Sequence, residues 1–422
     1  MSFSGPLLSG SFISGSEFYG TALEKFEPSL FLDFATSKSL DSRITFTRAS
    51  SATYYDAQGT LQTAASGVPR FDHDPVTVES LGLLIEEQRT NQLLRSQEFD
   101  DAYWVKADAT ITANTIVAPD GTLTGDALVS SINGGSNTCF VSKPTGVAAS
   151  TNYTYSVFIK KGTSPTTMLT FYRASPYSPV FGTINWSTET MSVSGAILLA
   201  SSFIPVGNGW YRASLTINSD TATSLVCRLY VRDDGTANVA GEYVYIWGAQ
   251  LEAGSFPTSY IKTEGSQVTR SADAASMTGT NFSSWYRQDE GTLYAAGKTV
   301  DSIAGFVGAD NGTTQNRIRI YQNTASTIRS DLFYNGATVL TGGGGSPLLG
   351  QLNKTATAYE TGALASSTNG ATVTSVAATL VPFVTQLRIG NVDGISYLNG
   401  SVSKIAFYPK RLTNAQLQAL TR

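Results

Sequence analysis

The sequence predicts an all-β protein made of two antiparallel β-sandwiches of the jelly-roll type, in tandem behind an extended N-terminal arm. Charged residues make up only 14% of the 422 residues, against about 25% in typical globular proteins. Short runs that alternate apolar and polar residues recur along the chain, and this alternation is typical of half-buried strands. Asn-Gly and Asp-Gly pairs, which favour tight hairpin turns, separate these runs, while helix signals are few.

The clearest strands lie within residues 89–262, which we expect to form one sandwich. Tyr153, Tyr155, Val157 and Ile159 fall on one face of a predicted strand, and the same alternation recurs in later runs. The turn pairs in this region are Asp120-Gly121, Asn133-Gly134, Asn208-Gly209 and Asp234-Gly235. Their spacing indicates strands that are linked by short hairpins.

Residues 263–422 are expected to form the second sandwich. Its clearest strand alternates isoleucines with basic and aromatic residues: Arg317, Ile318, Arg319, Ile320 and Tyr321. Near the end of the chain, Thr413 and Gln416 have the spacing of a capping box, which predicts one short C-terminal helix.

The N-terminal part divides into two segments. Residues 1–27 are rich in serine and glycine and cannot build a core, so we expect a flexible arm. Its spaced aromatic residues, Phe3, Phe12, Phe18 and Tyr19, suit anchors that dock onto a partner, although a merely disordered terminus is the alternative. Residues 28–88 contain short strand-like runs and are expected to form a β-rich docking region.

Charge and hydropathy exclude several classes of partner. The net charge of −4 and the pI near 5.2 disfavour nucleic-acid binding, because phosphate neutralisation requires clustered Lys and Arg. We also expect no membrane insertion and no signal peptide, because no run is long and apolar enough. Cys139 and Cys227 are expected to be buried free thiols, with a disulfide between them as the alternative.

Several stretches of the sequence resemble a recurrent family of phage tail and virion structural proteins. They fall within about residues 30–275 and run from Ile44 to Tyr54, from Val68 to Pro75, from Gly82 to Asn91, from Ser96 to Trp104, from Gly209 to Arg212 and from Tyr245 to Glu252. The middle part is similar to a carbohydrate-binding module of the jelly-roll type. The part from Gly291-Thr-Leu-Tyr294 to Tyr408-Pro-Lys-Arg-Leu412 is similar to concanavalin A-like (laminin G) sandwiches.

The resemblance implies a bacteriophage virion protein of the tail fibre, spike or head fibre type. It would attach to the particle by its N-terminus, contact other virion proteins and display its sandwiches for recognition of host-surface polysaccharide or lipopolysaccharide. We expect a homo-oligomer, first of all a trimer, because symmetry covers exposed strand edges. Such a protein would be made in the host cytoplasm, released by lysis and located in the virion.

Two alternatives stay open beside this function. A purely structural decoration or spacer protein would have the same sandwiches without affinity for sugars, since fold does not imply function. A polysaccharide depolymerase would need two carboxyl groups about 5–10 Å apart across a cleft. The adjacent acidic pairs, such as Glu86-Glu87 and Asp289-Glu290, point to opposite faces of a strand and do not supply that geometry.

No catalytic residue is predicted, and the protein is expected not to be an enzyme. The sole histidine, His73, lies between Asp72 and Asp74, where a metal or acid–base cluster could form. One histidine cannot supply a multi-histidine zinc site, and we favour a turn that is held by aspartate hydrogen bonds.

Two groups of aromatic and basic residues are candidates for glycan binding. Flat rings bind the apolar faces of sugars, and Tyr172, Tyr177 and Trp186 flank loop-like sequence in the middle region, where a platform could be exposed. Arg317, Arg319 and Tyr321 would share an exposed face of the last sandwich that could contact acidic sugars. A plain solvated strand face is the alternative for the second group.

No cofactor is expected to be required, with structural calcium as the one candidate ion. The resembled families often carry calcium in such sandwiches, and the ion needs several oxygen ligands. Glu98, Asp100 and Glu252 are the candidate ligands in the middle region, with Asp310 and Asp393 as candidates in the last.

Overall fold

Antiparallel strands make up nearly all of the regular structure in the computed structural model, which describes residues 27–422 apart from 233–234, 343–346, 379, 393 and 395. The first part of the described chain contains β1 (Leu30–Asp33), α1 (Phe34–Ser37), β2 (Thr45–Thr47), β3 (Ala52–Tyr55), β4 (Leu61–Ala64), β5 (Phe71–His73), β6 (Ser80–Ile85) and β7 (Arg89–Asn91). The middle part contains β8 (Val105–Ala107), β9 (Ala109–Ile116), β10 (Gly125–Ser130), β11 (Phe140–Gly146), β12 (Asn152–Lys160), β13 (Thr166–Arg173), β14 (Ser178–Asn185), β15 (Thr190–Ser194), β16 (Leu198–Pro205), β17 (Trp210–Asn218), β18 (Ser224–Tyr230) and β19 (Tyr243–Ala253). The last part contains β20 (Val268–Arg270), β21 (Ala274–Thr278), α2 (Thr280–Ser283), β22 (Glu290–Thr299), β23 (Ala304–Asp310), β24 (Arg317–Thr324), β25 (Thr327–Tyr334), β26 (Ala337–Gly342), β27 (Leu352–Glu360), β28 (Ala363–Thr368), β29 (Thr374–Val376), β30 (Gln386–Ile389), β31 (Gly400–Tyr408) and α3 (Asn414–Leu420).

These strands form two β-sandwiches, which confirms the predicted all-β fold class. In the middle sandwich, sheet M1 has the strand order β16-β17-β12-β19-β10-β9, and sheet M2 has the order β15-β14-β13-β18-β11-β8. In the terminal sandwich, sheet T1 has the order β29-β28-β27-β22-β31-β6-β5 with β1 also paired to β31, and sheet T2 has the order β2-β21-β30-β23-β24-β25-β26. Every pairing within these four sheets is antiparallel, so consecutive strands can be joined by hairpins.

The core of the middle sandwich follows the alternation in the sequence. Tyr153, Tyr155, Val157 and Ile159 of β12 all face the core and are nearly inaccessible to solvent, as predicted. Phe171 of β13 meets them from sheet M2, with its ring 6.0 Å from that of Tyr155. The period-2 pattern therefore predicted the buried face of this strand correctly.

The terminal sandwich takes strands from both ends of the chain. β1 pairs with β31, so that Leu30 lies opposite Phe407, and β6 pairs with the first residues of β31. β2 extends the opposite sheet by pairing with β21. Residues 28–88 therefore do not form a docking region apart from the last sandwich, which differs from the predicted division of the chain. Without β1 and β6, one edge of β31 would expose its unpaired backbone groups.

The hairpin β3–β4 does not join the sheets of the terminal sandwich but packs on the outer face of sheet M1. A small apolar cluster joins Leu61 of this hairpin to Phe158, Trp210 and Trp247 of the sheet and to Tyr260. The segment between β1 and β7 thus contacts both sandwiches and connects them.

Several local predictions agree with the structure. Thr413 and Gln416 form the expected capping box at the start of α3, and Leu417 of that helix is fully buried. Asn335 and Gly336, with φ angles of 48° and 81°, form the turn between β25 and β26. Cys139 and Cys227 are buried free thiols, as expected.

Candidate functional site

The predicted platform residue Trp186 belongs to the core of the middle sandwich. Its side chain is 2% exposed, and its indole Nε1 donates a hydrogen bond to Thr167 Oγ1 at 2.9 Å. The ring also makes edge contacts with Phe203 and Tyr211. Trp186 is therefore not available for stacking on a ligand, which differs from the exposed position that we expected. The turn sequence around it suggested a loop, but the side chain points inward from the end of β14.

Tyr172 and Tyr177, by contrast, lie together at the surface. Phe171 points into the core, so Tyr172 takes the outer face of sheet M2. The ring of Tyr177, in the loop after β13, meets that of Tyr172 edge-on with centroids 5.3 Å apart. Tyr177 is 67% exposed, whereas Tyr172 is 9% exposed. Burial raises the pKa of Tyr172 although Arg228 is near, so its phenol stays neutral at ordinary pH.

The structure adds a basic residue to this pair that the sequence analysis did not single out as a site. Arg228 of β18 has its guanidinium carbon 4.0 Å from the ring centroid of Phe140 and 5.3 Å from that of Tyr172. Its Nη1 donates to the hydroxyl of Tyr230 at 2.9 Å. The alternation of Arg228 with core residues was visible in the sequence, but Phe140 and Tyr172, whose rings flank its guanidinium, come from other strands.

We refer to Phe140, Tyr172, Tyr177, Arg228 and Tyr230 as the aromatic platform. Within the part of the chain that the structure describes, Arg228 Nε has no hydrogen-bond partner. The platform therefore combines an exposed ring with a guanidinium that is fixed between rings and keeps one free donor. Chemically, this arrangement can bind the apolar face of a sugar ring and an oxygen at its rim.

The predicted basic face of the terminal sandwich is assembled but largely covered by its own contacts. Arg317, Arg319 and Tyr321 share the outer face of sheet T2, as predicted, yet each is only 7% exposed. Arg319 forms an ion pair with Asp331 at 2.9 Å and lies 3.9 Å from the ring centroid of Tyr321. Arg317 stacks on Phe333 at 4.1 Å. These guanidiniums are occupied by stacking and pairing, so this face differs from the exposed one that we expected.

The candidate calcium ligands are not brought together in one site. Glu252 is fully buried on sheet M1, where its carboxylate accepts hydrogen bonds from Gln250 and Thr258. Glu98 pairs with Arg95 at 2.7 Å, and Asp100 is exposed. Among the described residues, no group of three or more His, Cys, Asp or Glu side chains could hold a metal ion. Calcium binding stays a prediction.

Asp126 is a buried carboxyl group that sequence reasoning missed. It is 1% exposed and accepts hydrogen bonds from the backbone amides of Phe99 and Asn114 at 3.1 and 3.0 Å. Burial raises its pKa to about 6, and the charges of Asp100 and Glu98 add to this effect. Its two amide partners show a structural role, which ties the start of the sandwich to β9.

The remaining predicted residues belong to the N-terminal arm and to the terminal sandwich. The docking residues Phe3, Phe12, Phe18 and Tyr19 lie outside the described residues. Asp310, a calcium candidate, accepts hydrogen bonds from Arg388 and from the backbone of Gly312, both at 2.7 Å, and its partner candidate Asp393 is not described. Within the described ranges, no helix has the length and apolar character needed to cross a membrane.

Neither a protein-family model nor a curated protein matches this sequence. Among solved structures, the CBM40 of the Ruminococcus gnavus IT-sialidase bound to α2,3-sialyllactose is similar over 34% of this chain and 88% of its own, at 16% identity and a TM-score of 0.29. Domains LG4-5 of the mouse laminin α1 chain are similar over 64% of this chain and 85% of their own, at 8% identity and a TM-score of 0.24. The Trypanosoma rangeli sialidase is similar over 70% of this chain and 60% of its own, at 13% identity and a TM-score of 0.27. Likeness at these scores carries no argument about function.

Proposed function

We propose that this chain is a bacteriophage virion protein that binds a host-surface glycan through the aromatic platform of its middle sandwich. The observation that carries the glycan-binding part is the exposed ring of Tyr177 beside the guanidinium of Arg228. Tyrosine rings of this kind offer apolar area for the C–H face of a pyranose, and arginine offers planar donors for hydroxyl or carboxylate oxygens. The virion part of the proposal rests on the resemblance of residues 30–275 to phage tail and virion proteins.

Two buried polar groups beside the platform have no hydrogen-bond partner among the described residues. Thr170, next to Tyr172 on the outer face of sheet M2, is 2% exposed, and its hydroxyl has no partner within the described ranges. Together with Arg228 Nε it leaves two hydrogen-bonding groups beside the rings. Polar groups that are buried without a partner are costly, and a bound ligand is one way to satisfy them.

Changing the exposed ring tests the platform directly. On a glycan array that includes bacterial lipopolysaccharides and capsular polysaccharides, we expect the full chain to bind and Tyr177→Ala to lose at least about tenfold in affinity. Phe383→Ala is the matched control, because Phe383 is an equally exposed aromatic residue, 66% against 67%, in the terminal sandwich. Equal losses in both variants would contradict the platform, and absence of binding to every glycan would favour a decoration or spacer protein.

The virion and its assembly are tested separately. Antibody labelling of phage particles should place the chain at the tail or particle surface, and labelling that is absent from purified virions would contradict the proposal. Sedimentation equilibrium should give three times the chain mass of 44.8 kDa if the trimer is right.

The spacer alternative also has an observation in its favour. All five tryptophans are buried: Trp104, Trp186, Trp210, Trp247 and Trp285. The largest aromatic surfaces of the chain therefore stabilise the fold, and recognition depends on tyrosine and arginine. Virion incorporation without any glycan binding would establish this alternative.

A further inference from the structure

A cavity that is separate from the aromatic platform lies where the chain before β7 meets both sandwiches. It has a volume of about 390 Å³, within the range of about 300–1,000 Å³ that is usual for small-ligand sites. One wall comes from β3, β5 and the loop at Asp74-Pro75, and another from β16 and β17 of sheet M1. The segment 255–260 and Lys298 of β22 also contribute to the lining. We refer to this cavity as the cleft.

His73, the sole histidine, lines the cleft with one nitrogen unsatisfied. Its side chain is 4% exposed, and its Nδ1 lies 3.2 Å from the backbone carbonyl of Tyr55. A carbonyl oxygen can only accept, so Nδ1 carries the hydrogen, and in the neutral imidazole Nε2 is an acceptor. Nε2 has no partner among the described residues. A buried acceptor on a cavity wall is the position in which a ligand hydroxyl would be bound.

The neighbouring aspartates have different roles. Asp74 holds the turn, because its Oδ1 accepts from the backbone amides of Val76 and Thr77, both at 2.9 Å, as the sequence predicted. Asp72 lines the cleft, and its Oδ1 accepts from the amide of Tyr55 at 2.7 Å. Burial raises the pKa of Asp72 to about 7, although the amide of Tyr55 counteracts it. Near neutral pH, Asp72 can therefore accept or donate a hydrogen bond.

The wall from sheet M1 carries hydroxyl groups beside apolar side chains. Ser202, Ser214 and Thr216 share the face of the sheet that borders the cleft. Ser202 Oγ lies 2.6 Å from Ser214 Oγ, and Thr216 Oγ1 lies 2.8 Å from Thr154 Oγ1. Tyr54, Phe256 and Ile204 add apolar area to the lining. Hydroxyl and imidazole groups beside apolar surface are complementary to a molecule that has both hydroxyls and C–H faces.

The charges around the cleft argue against an anionic ligand. Arg212 donates its Nη1 to the carbonyl of Thr258 at 2.6 Å and its Nη2 to Ser156 Oγ at 2.9 Å, so both terminal nitrogens are engaged, while its buried Nε has no partner among the described residues. Glu86 also lines the cleft, but its carboxylate is paired with Arg70 and Arg270. Of the remaining charged groups, Lys298 is opposed by Asp74, whose pKa it helps to lower.

We propose that the cleft binds a neutral, hydroxyl-rich ligand of monosaccharide to disaccharide size, and that His73 Nε2 accepts a hydrogen bond from a ligand hydroxyl. This site is separate from the aromatic platform, since the two share no residue. It gives the protein a second sugar-binding position at the junction of the two sandwiches.

Saturation-transfer NMR on the full chain tests this proposal, with glucose, galactose, mannose and N-acetylglucosamine as neutral probes and glucuronate as the charged probe. We expect transfer to at least one neutral sugar. Ala200→Trp, at an exposed position of β16 on the same face as Ser202, should abolish it by filling the space. His73→Phe keeps a ring of similar size without Nε2 and should weaken binding about tenfold.

Two controls distinguish the cleft from other sites. Leu199→Trp adds the same side chain at an exposed position of the same strand that does not line the cleft, and should bind as the unmodified chain does. Tyr177→Ala should also retain binding, because it changes only the platform. The proposal is wrong if no neutral sugar shows transfer, if glucuronate alone binds, if Ala200→Trp behaves as Leu199→Trp does, or if Tyr177→Ala removes the signal.

Discussion

Arg70 and Asp273 lie 203 positions apart in the sequence and form a fully buried ion pair, with Arg70 Nη2 2.5 Å from Asp273 Oδ2. The pair joins the segment before the middle sandwich to the segment after it. The same Arg70 also pairs with Glu86 at 2.7 Å, and Arg48 pairs with the other oxygen of Asp273 at 3.1 Å. Arg270 completes the network through Glu86.

Three of the sequence stretches between Ile44 and Asn91 contribute to this network. Arg48, Arg70 and Glu86 each belong to one of these stretches, and the structure places all three in one buried cluster. Burial raises the pKa of Glu86, but the charges of Arg270 and Arg70 outweigh it and hold the pKa well below its usual value. The motifs therefore encode the junction between the sandwiches.

Removing one member of the network should strongly destabilise the fold. Asp273→Ala leaves Arg70 and Arg48 buried without their carboxylate, and we expect a loss of about 3–5 kcal/mol in the free energy of unfolding. Urea denaturation monitored by tryptophan fluorescence measures it. Asp289→Ala is the control, because it removes an exposed partner of Arg287 and should leave stability unchanged. Similar losses in the two variants would contradict a structural role for the network.

The two predicted platform residues Trp186 and Tyr177 should respond to substitution in opposite ways. Trp186→Ala should cost about 3–5 kcal/mol of stability, because it empties a core position and leaves Thr167 without its indole partner. Tyr177→Ala should change stability by less than about 0.5 kcal/mol, because the ring is largely exposed. Thermal unfolding monitored by circular dichroism measures the stability of both variants. A small effect at Trp186 would mean that its ring is not part of the core.

Asp72 should make stability depend on pH in a specific direction. Its pKa is about 7 in the folded chain against 3.8 for the free group, so between pH 4 and 7 the folded state holds a proton that the unfolded state has lost. The free energy of unfolding should therefore fall as the pH rises through this window. Asp72→Asn should remove this dependence and be more stable than the unmodified chain at pH 7.5 by about 1–2 kcal/mol.

Asp74→Asn is the control for this pH profile, since the pKa of Asp74 is shifted in the direction opposite to that of Asp72. Burial raises the pKa of Asp74, but hydrogen bonds from the amides of Thr77 and Val76 lower it below its ordinary value in total. Its contribution to stability is present above about pH 4 and is lost as the pH falls further. Denaturant titrations between pH 3 and 8 compare the two variants. A profile for Asp72→Asn that parallels the unmodified chain would contradict the raised pKa.

Gly82 is a position where space, and not only backbone conformation, excludes a side chain. Its φ is +100°, and a Cβ there would clash with the carbonyl oxygen of Val402, where β6 pairs with β31. Gly82→Ala should therefore cost more than about 3 kcal/mol. Gly336→Ala has a similarly positive φ of +81° but open space around the Cβ, and should cost only about 1 kcal/mol. Equal costs, measured by urea denaturation, would show that β6 is not held against β31 as described.

Local patterns were sufficient for the fold class and for many strand faces. The alternation at Tyr153–Ile159 predicted a buried face because side chains on a strand alternate by geometry alone. The capping box at Thr413 is equally local, since its two partners are three residues apart. The role of Trp186 was not predictable in this way, because exposure at the end of a strand depends on which sheet packs against it.

The sequence by itself determined that this protein is all-β and that it forms two sandwiches. Period-2 alternation, turn pairs and composition are local properties, and they do not depend on how the strands are arranged in space. Only the tertiary structure decided that β1 and β6 complete the terminal sandwich, that Arg228 lies among aromatic rings, and that His73 lines a cleft. Each of these depends on residues far apart in the chain, and contacts of that kind are fixed by packing between sheets, which no local pattern specifies.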